Sequence, residues 1–236
     1  MANNQTLLDY LMVAPPGIPT ENTNKTPNTT NSHYSYRDIT GVTPWPEFTY
    51  AHIMQHYANV LQQTQIESES MPNSPVPAIK TESMFAFRFN TYIQNRLRRA
   101  LRAGFQHLAP QLSNMDLTPM TTGSPLGTSP NRCPGDLKVS WKWGSGWETA
   151  LDEAMRREFY QVLSQINYYM KQNNTQYGFI LTDTELILIK WLDGNGRLQL
   201  TQPIQWETKG PERLTILLGL WYLGMLSAAN NDWRLL

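Results

Sequence analysis

In the stretch PGDLKVSWKW, Pro134 to Trp143, an aspartate and a lysine stand two positions apart, Asp136 and Lys138. Side chains alternate faces along an extended strand, so these two project from one side while Leu137 and Val139 point to the other. A carboxylate beside an ammonium suits phosphodiester hydrolysis. The oxygen ligand holds Mg2+ against the scissile phosphate, and the cation stabilises developing negative charge or helps position the attacking water. The plainer alternative is a surface ion pair on a strand edge, which contributes little to stability. Chance supplies many such triplets, and Glu207-Thr-Lys209 is another, in what reads as a loop.

A second pair strengthens the first. In QINYY, Gln165 and Tyr169 are four apart, hence on one face of a helix. That helix is expected from about Thr149 to Gln172, with Leu151, Met155, Val162, Ile166 and Tyr169 at helical spacing, ended by Asn173 and Asn174. Behind it, Tyr177 to Leu181, Leu186 to Trp191 and Arg197 to Leu200 read as a meander with turns at Asp183 and Asp193-Gly-Asn-Gly. In the quoted strand, Leu137, Val139, Trp141 and Trp143 share parity and form the buried side, and Trp147 sits in a Gly-Ser turn that could present it to a ligand.

Upstream, MFAFRFNTYIQNRLRRALRAGFQHL from Met84 to Leu108 carries the stripe Phe89, Ile93, Leu97, Leu101, Phe105 and Leu108 without one acidic residue. On its other side Arg88, Arg99 and Arg102 fall within about 60° at 100° per residue, flanked by Arg96 and Arg98. A solvated arginine face favoured by the helix dipole is one reading. A face that contacts nucleic-acid phosphates is the other, because no carboxylate within the helix neutralises it.

Lys+Arg and Asp+Glu both number 19, so any site for a polyanion must be local rather than a global field. One cysteine, Cys133, excludes an internal disulfide framework and fits a reducing intracellular compartment, cytoplasmic or nuclear. The N-terminus lacks the basic region of a signal peptide. The most apolar run, Leu214 to Ala229, is shorter than the roughly 20 residues that cross a bilayer, so it reads as a core helix and no membrane is expected. His52 and His56 have the spacing of two zinc ligands but neither the glutamate nor the third ligand of that motif. Ser140 and Cys133 have no histidine near them in sequence.

Residues 15–40, dense in Pro, Asn and Thr, read as disordered, and a helix follows with Thr43 as N-cap and Pro44 at its first position. The Pro/Ser-rich link ESESMPNSPVPAIKTES then separates this appendage from the body. The expected organisation is a mostly disordered 1–43, a helix and linker over 44–80, and a domain over 81–236. That domain is an α/β (α+β) sandwich, a mixed sheet covered by helices.

From PGDLKVSWKW through LSQINYYMKQ and YGFILTDTELILIKWLDGNG to LTILLGLWYLGML, the chain resembles the PD-(D/E)XK, restriction-endonuclease-like nuclease superfamily. It also looks like a poorly characterised set of filamentous-fungal proteins within that superfamily. The resemblance covers roughly residues 80 to 236. It implies a restriction-endonuclease-like fold and a Mg2+-dependent nuclease acting on DNA or RNA, or a degenerate relative that only binds nucleic acid or protein. Carried over, Asp136 is the metal-binding acid of the triplet, Lys138 its lysine, and Gln165 and Tyr169 the helix motif of RecB-like members. The second acidic ligand is open: Asp116 from a loop, Glu82 near the first helix, or none.

Overall fold

The computed structural model describes residues 3–21, 23–24, 26–28, 30–72, 75–108, 131–228 and 234–235. β1 (Asn4–Thr6) runs into α1 (Leu7–Leu11), a 3-10 turn at Tyr36–Asp38 precedes β2 (Gly41–Pro44), and α2 (Tyr50–Gln63) leads to β3 (Gln65–Glu67). Next come α3 (Glu82–Phe89), a π-helical turn at Asn90–Gln94, and α4 (Asn95–Leu108). The second half holds β4 (Gly135–Leu137), a 3-10 turn at Ser145–Thr149, α5 (Glu153–Gln172), β5 (Tyr177–Leu181), β6 (Glu185–Trp191), β7 (Arg197–Leu200), β8 (Ile204–Gln205) and α6 (Ile216–Ala228).

The main sheet has the order β2-β7-β6-β5-β4, with β8 pairing with the start of β6. β5, β6 and β7 are antiparallel neighbours, as the alternation predicts, while β4 lies parallel to β5 and β2 parallel to β7, so the sheet is mixed. A parallel pair needs a crossover, and α5 supplies the one between β4 and β5. Asp152 caps α5 by accepting from Ala154 N at 2.8 Å, and Glu153 and Lys171 stand at the ends the helix dipole favours.

Helices cover both faces. Phe179, Leu181, Leu186 and Leu188 face α1, α2, α4 and α6, whereas Ile180, Ile187 and Ile189 face α5 through Val162, Leu163 and Ile166. α6 is apolar on all sides and buried on nearly all of them, as a core helix should be. No helix among the described residues is long and apolar enough to cross a membrane.

Several local expectations change. Thr43 and Pro44 belong to β2; the helix after them starts at Tyr50, capped by Thr49, whose side chain accepts from His52 N. Pro44 is tolerated because β2 is an edge strand. Leu151 lies just before α5 and is fully exposed, since Asp152 rather than Thr149 caps that helix. The described residues of 15–40, expected to be disordered, are laid against the body. Tyr34 and Ile39 are buried, Trp206 Nε1 donates to Pro16 O at 2.9 Å, and Thr20 bridges to Ile79. Leu7, Tyr10 and Leu11 enter the same core as Phe85, Phe105 and Trp221.

Candidate functional site

β4 is short because the chain turns at once beyond Lys138. Lys142 N donates to Val139 O at 2.8 Å, and Ser140 gives both its backbone N–H and its hydroxyl to the carboxylate of Asp183. That turn divides the tryptophans expected to share one side. Trp141 joins the larger core, while Trp143 crosses to the other core and stacks on Phe159 at 5.8 Å. Ser140 is thereby engaged as a structural donor, and Cys133 is buried with its thiol pKa pushed up by that burial. Trp147 packs partly against the α5 core rather than standing out as a ligand platform.

Before the turn, β4 lies close against β5. A methyl at Gly135 would collide with the Phe179 ring, so glycine there lets the strand approach. Asp136 stands opposite Ile180 in the register and therefore shares its face, toward α5. Lys138, two residues on, is on that same face, and its ammonium lies 3.0 Å from Asp136 Oδ2. Asp136 and Lys138 are 6% and 5% exposed, so the pair is a buried one and not the surface ion pair of the plainer expectation.

The helix motif arrives from above. Gln165 Nε2 donates to the Tyr169 hydroxyl at 2.8 Å, both side chains are buried, and the Tyr169 oxygen lies within electrostatic reach of Asp136 and Lys138. Tyr34, 5% exposed, comes from the N-terminal segment into the same neighbourhood, its ring 5.7 Å from that of Tyr168. Glu82, at the first turn of α3, acts on both Asp136 and Lys138 and holds Lys142 at 3.6 Å. A cleft of ≈ 410 Å³ opens beside Glu82, walled in part by Asn24, Thr26, Lys80 and Lys142.

Burial raises the Asp136 pKa above the ordinary carboxylate value, more than the neighbouring ammonium lowers it. Burial also pulls Lys138 down, but the Asp136 and Glu82 carboxylates overcome this and hold its pKa above the usual lysine value. Lys138 is thus a firm cation. Burial raises the hydroxyl pKa values of Tyr169 and Tyr34 as well.

Asp136 Oδ2 accepts no well-formed hydrogen bond besides its contact with the Lys138 ammonium, and Glu82 supplies a second carboxylate nearby. One or two carboxylates with phosphate and water are what Mg2+ asks of a protein, and Asp136, with Glu82 within electrostatic reach, is of that donor type. No group of three or more His, Cys, Asp and Glu forms among the described residues. Asp116, the other acid considered, lies outside the described residues. On α2 the rings of His52 and His56 are 4.3 Å apart, with His56 Nδ1 bonded to His52 O.

The arginine face is different from its expectation. Arg96 is 2% exposed, lies over the Tyr10 ring at 4.3 Å and donates to Glu69 O at 2.9 Å. Arg99 reaches Glu69 at 2.7 Å and Glu67 at 3.6 Å, and Arg88 donates to Pro77 O. Carboxylates some thirty residues upstream thus pair with two of these arginines. Arg96 and Arg99 bind the chain's own linker, and Arg102 is exposed.

Sequence reasoning missed Tyr34, Asn28, Glu158 and Gln161. Asn28 donates its N–H and its Nδ2 to Glu158 Oε2, both at 2.8 Å, and Tyr36 N donates to Gln161 Oε1 at 3.0 Å. Glu158, Gln161, Gln165 and Tyr169 follow one another at spacings of three and four on α5. Such a polar stripe on a helix that is otherwise largely buried was the available signal.

These elements define a mixed α/β protein whose edge strand carries a buried acid–lysine pair under a polar helix stripe. No protein-family model, curated protein or solved structure matches the chain.

Proposed function

We propose that this chain is a divalent-metal-dependent phosphodiester hydrolase of the restriction-endonuclease-like class, acting on DNA or RNA. The observation that carries this is the buried Asp136–Lys138 pair on an edge strand, with Glu82 and the Gln165-bound hydroxyl of Tyr169 within electrostatic reach of it. Asp136 and Glu82 would hold Mg2+, which when bound polarises the phosphate and lowers the pKa of an attacking water. Engaged in that way, Asp136 releases Lys138. Lys138 would then face the phosphate and, as an ammonium, stabilise the negative charge that gathers on the phosphate oxygens. Gln165 fixes the Tyr169 hydroxyl, which can then donate to a phosphate oxygen.

One observation favours a second reading, a degenerate member of the class that serves as a nucleic-acid- or protein-binding module. Asp136 and Lys138 satisfy each other in a closed site, as a purely structural pair would.

The test is Mg2+-dependent cleavage of single- and double-stranded DNA and RNA by the wild type, Asp136→Asn and Lys138→Ala, each checked for folding by circular dichroism. Both substitutions are expected to lower the rate by at least about a hundredfold, the scale of a lost charge-stabilising group. Equal cleavage by all three, or none by any with protein in excess over substrate, removes the hydrolase reading.

A further inference from the structure

The acid–lysine pair is closed to a phosphate as it stands, with both side chains under one-tenth exposed. What closes it on the N-terminal side is a polar segment with little of its own to bury. Tyr34 reaches into the neighbourhood of Asp136, Lys138 and Tyr169, yet its hydroxyl has no hydrogen-bond partner among the described residues. Next to it the His33 ring stacks on Tyr168 at 5.7 Å, at an exposed position.

The segment is anchored by exchangeable polar bonds, together with the rings of His33 and Tyr34 against Tyr168. Asn28 grips Glu158 twice and Lys142 O once, at 3.0 Å. Tyr36 N is held by Gln161, and Ser35 and Asp38 form a reciprocal capping box that keeps this end rigid. Asn24 and Thr26, from the same segment, wall the cleft beside Glu82. The segment thus borders both the neighbourhood of the pair, through Tyr34, and the cleft beside Glu82 and Lys142, through Asn24 and Thr26. A surface segment fastened largely by hydrogen bonds opens locally at lower free energy than the core, which stays folded.

We propose that the described residues of 24–38 form a strap that closes the Asp136–Lys138 site and lifts to admit a phosphodiester, with Asn28 as its latch and Tyr34 as its plug. The closure itself rests on the geometry above; its meaning as a gate on catalysis rests on the hydrolase reading. Water and small reagents reach Lys138 only when the strap is raised, so the reactivity of this one lysine reports the opening independently of any cleavage.

The experiment compares full-length wild type, Asn28→Ala and Tyr34→Ala. Lysines are acetylated under native conditions, labelling at Lys138 is followed by peptide mass spectrometry relative to the exposed Lys171, and Mg2+-dependent cleavage is assayed on the same samples. Asn28→Ala removes hydrogen bonds to a charged partner, so Lys138 labelling is expected to rise about tenfold or more, with Lys171 unchanged. Cleavage should rise by a similar factor. If labelling rises but no protein cleaves, the strap stands and the hydrolase reading falls. If Lys138 labels at the wild-type rate in folded variants, the strap falls, whatever the cleavage. Should Tyr34→Ala fail to fold, Asn28→Ala decides alone, because it alters the latch and leaves the core intact.

Discussion

A carboxylate closed from water prefers to keep its proton, because the charged form loses hydration that one neighbouring ammonium only partly replaces. Asp136 is in that position, and its pKa lies above that of an aspartate in the unfolded chain, about 3.9. The sign for stability follows. A group with a raised folded-state pKa contributes stability that is fully present below about pH 4 and is lost as the pH rises through the folded-state value. The Asp136 carboxyl carbon is therefore expected to titrate above pH 4 by NMR, and Lys138→Met, which removes the cation, should move the midpoint higher still. A midpoint at or below pH 4, or a downward shift in the variant, would show that burial does not govern this group. If Mg2+ binds at Asp136 as proposed, it displaces the same proton, and its affinity should weaken as the solution is acidified through that range.

Among the elements, α4 separates what charge counts suggest from what packing does. Its arginines have no acid within their own helix, yet Glu67 and Glu69 on and after β3 meet Arg96 and Arg99. Arg96 is closed between Tyr10 and the Glu69 carbonyl, where a desolvated cation over an aromatic ring contributes about 2 kcal/mol. Arg96→Met is expected to lower the unfolding free energy by about that amount, whereas Arg102→Ala, at an exposed position, should change it by less than about 0.5 kcal/mol. Denaturant melts of the two variants check this, and equal effects would refute the structural role given to Arg96. α5 and β5 to β7 were legible from spacing alone, because helical and strand periods are set by the local backbone. β4 was legible only in its first half. Its end is imposed by Asp183, more than forty residues later in the chain, which no local pattern around Val139 announces.

At the scale of the whole molecule, described residues among the first 80 share a core with the rest. Leu7, Tyr10 and Leu11 pack with Ile53 and Leu61 of α2 and with residues of α4 and α6. Leu11 is fully buried, so Leu11→Ala is expected to lower stability by about 2 to 5 kcal/mol, the usual cost of a core cavity. The loss should appear as one cooperative transition shifted as a unit, seen alike by tryptophan fluorescence and by far-ultraviolet circular dichroism. Two separated transitions, with the later one unmoved, would mean that residues 81–236 fold without the N-terminal part. The sequence by itself determined which side chains share a face: Asp136 with Lys138 on an extended backbone, Gln165 with Tyr169 on a helix, and the alternation of β5 and β6. Only the tertiary structure decided that the first pair is buried, that Glu82 and Tyr34 lie within electrostatic reach of it, and that Glu67 and Glu69 pair with Arg96 and Arg99. Spacing along one element follows from the geometry of the backbone, whereas burial and charge pairing follow from segments that meet only after the chain has folded.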